Sequence, residues 1–186
     1  AQPVEIEALR LPYHLYNDAD IASRIIYVEA SRGCPYNCSY CTSAHSGLRL
    51  INPEKLLPAI EILRQRGVRQ FKFLDRSFTA ARDHAYTVMN FLLERITADT
   101  TLHFEINTDQ LNSDDLSLIQ RFPVNTLHLE CGIQSLNPRV AASIGRSPQV
   151  ERTLANLAFL VDQTGADVHA DLIFGLPGED EESFAR

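Results

Sequence analysis

The sequence predicts an α/β fold, a partial (β/α) barrel of about five βα units. Three observations predict it. Short apolar runs alternate with longer stretches of helical period, the order that successive βα units leave along a chain. Asn-led caps open several of the helical stretches, and Gly67 and Gly165 end two of them. Five strands are too few to close an eight-stranded barrel of about 250 residues, and the chain has 186.

The elements follow in order. Residues 1–20 carry polar and aromatic side chains without a clear period and read as a linker or an arm from a region upstream. The barrel core is expected over 21–186, cut before its last strand. Ile25 to Glu29 is the first strand and leads into a cysteine-rich loop. Asn52 then caps a helix that has Pro53 at its first position and Leu56, Ile60 and Leu63 on one face. Pro58 inside that helix is expected to kink its first turns.

The second unit pairs a strand at Phe71 to Leu74 with a helix through Ala85, Val88, Phe91 and Leu92. The third pairs Leu102 to Ile106 with a helix opened by Asn112, whose following Ser113-Asp114-Asp115 puts acids at the positive end of the helix dipole. A fourth strand, Leu127 to Leu129, precedes the cap Asn137-Pro138 and a helical stretch that breaks near Ser147-Pro148 and resumes through Leu154, Leu157 and Val161. The fifth strand, Val168 to Phe174, runs into Gly175-Leu176-Pro177-Gly178, and Asp180-Glu181-Glu182 begins another helix.

Composition narrows the function. An apolar content of 45% with 22% charged residues is that of an ordinary globular domain. No apolar run approaches the roughly 20 residues of a membrane span, and no signal pattern opens the chain, so a soluble cytoplasmic protein is expected. The net charge of −7 speaks against a broad nucleic-acid footprint and for a small-molecule or protein substrate. Of four cysteines, three crowd into eight residues, which points to a metal site in a reducing compartment rather than a disulfide framework, with reduced unligated thiols as the plain alternative that spacing alone leaves open.

The crowded segment is Cys34-Pro35-Tyr36-Asn37-Cys38-Ser39-Tyr40-Cys41. Its three soft thiolates suit zinc, copper(I) or an iron-sulfur cluster. A zinc site would need a fourth ligand, which His45 could supply. A [4Fe-4S] cluster would keep one iron without a protein ligand, open to a substrate or cofactor. Cys131 reads as a small buried hydrophobe. His14, His84, His103, His128 and His169 show no metal-ligand spacing and read as surface or strand residues. Asp75, Glu105, Glu130 and Asp171 fall in or just beyond separate strands, where parallel barrels assemble their sites.

Cys-x3-Cys-x2-Cys after a first strand, with Tyr40 before the third cysteine, resembles the radical S-adenosylmethionine (SAM) superfamily. The resemblance runs from about Ile25 to Ser183. Within the superfamily the chain is most similar to the branch of oxygen-independent coproporphyrinogen oxidases and cobalamin-associated enzymes, through Glu130-Cys131-Gly132-Ile133-Gln134-Ser135-Leu136-Asn137, Ile144-Gly145-Arg146 and Asp171-Leu172-Ile173-Phe174-Gly175-Leu176-Pro177-Gly178-Glu179. The resemblance implies that Cys34, Cys38 and Cys41 hold a [4Fe-4S] cluster whose open iron binds SAM, and that reductive cleavage yields a 5'-deoxyadenosyl radical. It further implies ribose contacts from Gln134 and Asp171, a carboxylate contact from Arg146, contacts from Glu105 and Tyr40, and an adenine backing at Ile173. The turn Leu74-Asp75-Arg76-Ser77-Phe78 stands where many members are glycine-rich; the resemblance implies that its backbone meets the SAM amino group, which places Asp75 and Ser77 among the cofactor-binding residues, while the side chains of Asp75 and Arg76 are left open to another part. A reductant such as flavodoxin or ferredoxin is implied, as is cobalamin in a full-length protein. The alternative reading of the cysteines is a non-catalytic iron-sulfur or zinc module for structure or electron transfer.

Overall fold

The computed structural model describes residues 5–185. Of the arm expected over 1–20, residues 1–4 lie outside the described residues. The rest forms two 3-10 turns, Ile6–Ala8 and Pro12–Leu15, and the short helix α1 (Asp18–Ser23), opened by an Asn17 capping box. This segment packs on the core through buried Tyr13, whose hydroxyl accepts a hydrogen bond from the Glu29 backbone N–H at 2.8 Å.

Five strands form one parallel sheet: β1 (Ile26–Val28), β4 (Gln70–Phe73), β5 (Thr101–Ile106), β6 (Leu127–Gln134) and β7 (Asp167–Leu172), in that spatial order. A small antiparallel pair, β2 (Ser31–Arg32) with β3 (Arg49–Leu50), closes the cysteine loop at its base. Between the sheet strands run α2 (Pro53–Gln65), α3 (Arg82–Leu93), α4 (Ser113–Gln120), α5 (Pro138–Ser143) and α6 (Val150–Gln163), and α7 (Glu181–Phe184) follows β7. The sequence expected five βα units, and these are the five strands. Among the described residues no helix is long and apolar enough to cross a membrane.

The helices form where the side chains permit. Asn52 Oδ1 accepts from the Glu54 N–H at 2.9 Å, and α2 then runs unbroken through Pro58, burying Leu56, Ile60 and Leu63. Asn112 caps α4 by accepting from Asp114 and Asp115, while Asp115 returns the bond to the Asn112 N–H. One face of the sheet meets these helices. Phe71, Phe73, Leu102, Phe104, Leu127 and Leu129 are buried there, with Phe73 and Phe104 stacked at 4.6 Å and Phe78 4.2 Å from Phe104.

The opposite face is open and polar. Tyr27, Lys72, His103, His128 and Asp167 stand in one register row across all five strands, and Glu105, Glu130 and His169 form the next row towards the carboxyl ends. β6 extends five residues beyond the expected Leu129, because alternate residues Cys131 and Ile133 go on burying on the helix side while Glu130, Gly132 and Gln134 face the opening.

Candidate active site

The cysteine loop leaves β1 over a buried anchor. Asp75, just past β4, accepts hydrogen bonds from the Ala30 N–H at 2.9 Å and from Ser31 Oγ at 2.6 Å. Burial pushes its carboxyl up to about 6 against the lowering effect of those bonds. Within the loop the Cys34 N–H donates to Ser46 Oγ, whose hydroxyl donates to the Ser43 carbonyl, and the Cys41 N–H turns back on the Cys38 carbonyl. Cys38 is buried, Cys34 and Cys41 are partly exposed, and none is in a disulfide.

The three thiols face a cleft of about 280 Å³ at the carboxyl ends of the strands. Of the residues singled out in the sequence, Cys34, Cys38, Cys41, Tyr40, Glu105, Gln134, Arg146 and Asp171 all line it. They come from the first loop and from β5, β6, β7 and the turn after α5, so the parallel sheet has gathered residues spread over 138 positions of sequence. Three expected residues do not line the cleft. The Asp75 carboxylate is 2% exposed and engaged by the loop backbone, Ser77 is buried at 3%, and Ile173 packs with Val140, Ile144 and Leu176. Glu130, one of the strand-end acids singled out in the sequence, also lines the cleft, and the structure adds Tyr36, Arg76 and Asn107 to the wall.

The Ile144-Gly145-Arg146 motif after β6 braces the loop. The Ser39 N–H donates to the Ile144 carbonyl at 3.0 Å, and Gly145 (φ 75°) lies so near the loop that a Cβ would stand 2.8 Å from the Asn37 carbonyl oxygen. Arg146 then reaches in, donating to Asn107 Oδ1 at 3.0 Å and to the Gly132 carbonyl, with a terminal nitrogen 4.0 Å from Cys38 Sγ. Gln134 sits at a register shift with φ 72°, and its amide folds over Gly132, where a Cβ would lie 2.5 Å from Nε2. A left-handed non-glycine residue at a cleft is a position the surrounding structure has to hold.

Charge in the cleft is mixed. Burial raises Glu105, with Arg76 opposing and Glu130 and Asp171 adding to the rise. Burial would also raise Glu130, but the His103 and Lys72 side chains outweigh it and hold that carboxyl below its ordinary value. Burial, and then the Cys38 sulfur, push the Tyr40 hydroxyl up to about 12. Burial pushes the Cys34 thiol up, and the neighbouring Cys38 and Cys41 add to that.

The donor set fits an iron-sulfur cluster better than a single ion. The three thiols line one cleft with no histidine and no fourth cysteine among the described residues of its wall, a set that suits a cluster with one open iron better than a closed four-coordinate zinc. His45, the fourth ligand a zinc site would use, is exposed and outside the cleft. Cys131 is fully buried on the helix side, where burial pushes its thiol up to about 12.

Comparison with known proteins agrees with this geometry. An uncharacterized methyltransferase of Pyrococcus horikoshii is 25% identical over 160 residues, covering 83% of this chain and 34% of the relative. A tRNA-2-methylthio-N(6)-dimethylallyladenosine synthase of Dichelobacter nodosus is 27% identical over 173 residues, covering 85% and 37%. Among solved structures, the radical SAM methyltransferase TsrM of Kitasatospora setae, with cobalamin and a [4Fe-4S] cluster bound, superposes with a TM-score of 0.73 at 15% identity, over 86% of this chain and 33% of that one. The chain thus spans about a third of the length of each. The family profile described as the radical SAM superfamily matches residues 28–186, and with the cysteine loop, the parallel sheet and the cleft in agreement, the chain belongs to the radical SAM superfamily.

Proposed function

We propose that the full-length protein cleaves SAM reductively and directs the resulting radical at a substrate held over the open face of the sheet. The observation that carries this reading is that three cysteines and five of the expected SAM contacts line one cleft. The superfamily uses a [4Fe-4S] cluster and SAM. Bound between Cys34, Cys38 and Cys41, the cluster would supply the electron that breaks the sulfonium of SAM to give a 5'-deoxyadenosyl radical.

The chain's own part is binding and orientation. Three thiolates leave the fourth iron open. Arg146, fixed by Asn107 and Gly132, offers a planar donor for the SAM carboxylate. Gln134, Glu105 and Asp171 present acceptors across the cleft for the ribose hydroxyls and the amino group. Asp75 and Ser77 act from behind the wall: Asp75 holds the start of the loop, and the backbone of the 74–78 turn is left to meet the SAM amino group. A reductant such as flavodoxin or ferredoxin would deliver the electron. Methyl transfer through cobalamin in the full-length protein is the favoured outcome, since the TsrM structure contains cobalamin and the Pyrococcus relative carries a methyltransferase name.

The test is anaerobic reconstitution with iron and sulfide, followed by EPR of the reduced protein with and without SAM, beside the Cys34, Cys38 and Cys41 triple-alanine variant. A cluster signal that changes on adding SAM, with release of 5'-deoxyadenosine, is the expected result. A cluster indifferent to SAM in the full-length protein would refute the reading.

A further inference from the structure

The register row across the open face places two histidines side by side. His103 and His128 are direct partners on β5 and β6, their rings 4.5 Å apart, and Glu130 stands one row above. His103, His128 and Glu130 each bring one ligand atom within 4.8 Å of the other two, and all three are partly buried.

The spacing inside this group matches that of ligands around one ion. Nε2 of His103 lies 2.9 Å from Oε1 of Glu130, within pairing distance but with the oxygen off the ideal direction of the ring N–H. Metal bonds of about 2.0–2.1 Å to nitrogen and oxygen place neighbouring ligands roughly 2.9–3.4 Å apart without any hydrogen bond between them. His128 has the support a ligand needs. Its Nδ1 is 2.7 Å from Asp167 Oδ2. A carboxylate only accepts, so Nδ1 carries the proton and the Nε2 lone pair is left free.

From this geometry we propose that His103, His128 and Glu130 hold a borderline divalent ion, zinc or ferrous iron, on the open face beneath the cysteine cleft. Two imidazoles and one carboxylate suit these metals, and three protein ligands leave coordination positions open to an oxygen or nitrogen of a substrate. Glu130 also lines the cleft, so the ion borders the space where SAM chemistry would take place. Its place beside that chemistry rests on the function proposed above, whereas binding of the ion does not. Lys72 is the resident competitor. Its Nζ is 3.3 Å from the same Glu130 oxygen, and an incoming ion displaces it.

The experiment uses the full-length protein with Cys34, Cys38 and Cys41 changed to alanine, titrated anaerobically with Co²⁺ and followed by visible absorption. One equivalent is expected to bind, with ligand-field bands of nitrogen and oxygen coordination and no sulfur-to-cobalt charge transfer. The dissociation constant should rise at least tenfold in His103→Gln and in His128→Gln. It should fall in Lys72→Met, a direction that misfolding cannot imitate. Failure to bind a stoichiometric ion, or an affinity unmoved by both His103→Gln and Lys72→Met, overturns the proposal. Neither result alters the response of the cluster's EPR signal to SAM, so the two readings fail separately.

Discussion

Asp75 gives the fold a pH dependence of unusual sign. The carboxylate is 2% exposed, and its hydrogen bonds from Ala30 and Ser31 offset only part of its desolvation, so its pKa rises from 3.8 to about 6. The folded state therefore binds this proton more tightly than the unfolded state. Stability contributed at this site is full below 3.8 and falls as pH rises towards 6, then stays constant. The whole loss amounts to about 3 kcal/mol, of which about 2 kcal/mol falls between pH 4.5 and 7. Asp75→Asn keeps the shape and one acceptor but has no charge to desolvate. Urea unfolding of the reduced, metal-free protein followed by circular dichroism, at pH 4.5 and 7, isolates the effect, since the other groups titrate alike in both proteins. The variant should gain about 2 kcal/mol on the wild type across that interval. A difference between the two proteins that does not change with pH would refute the reasoning.

Three further outcomes are expected. Gly145→Ala puts an L-residue at φ 75° with its Cβ 2.8 Å from the Asn37 carbonyl; it should cost about 1–2 kcal/mol for the left-handed conformation alone and lower the iron content after reconstitution. Arg146→Lys keeps the charge but cannot span both Asn107 and Gly132, and the SAM dissociation constant from equilibrium dialysis should rise about tenfold or more, the equivalent of about 1.4 kcal/mol, with iron content retained. Cys131→Ala, on the helix side of β6, should leave iron and sulfide per chain unchanged; a fall would make it a cluster ligand.

The strands and most helices were legible because their apolar residues repeat and their caps are unambiguous: Asn52 and Asn112 cap where the sequence placed them. β6 was underestimated. An apolar run stops at Leu129, but strict alternation continues through Gln134, and alternation rather than run length was the signal for a strand with one polar face. Eight expected site residues met in the cleft because the motifs carry a chemistry-specific spacing. The side chains of Asp75, Ser77 and Ile173 did not, since a motif position does not reveal which way a side chain turns. His103 and His128 looked unrelated at a separation of 25 residues. Parallel register makes them neighbours, and no local spacing records such a pairing.

The clamp of Ile144, Gly145 and Arg146 on the cysteine loop also sets a timetable for synthesis. Cys38 leaves the ribosome 108 residues before Arg146, and at about 5–20 residues per second that is a wait of roughly 5–20 s. During that wait the three thiols are on a loop whose Ser39 amide and Asn37 carbonyl still lack their distant neighbours. The nascent chain therefore passes through a stage in which its cysteines are exposed to oxidation or to stray metal. Iron loading that comes after the chain has reached Arg146 meets a loop already braced.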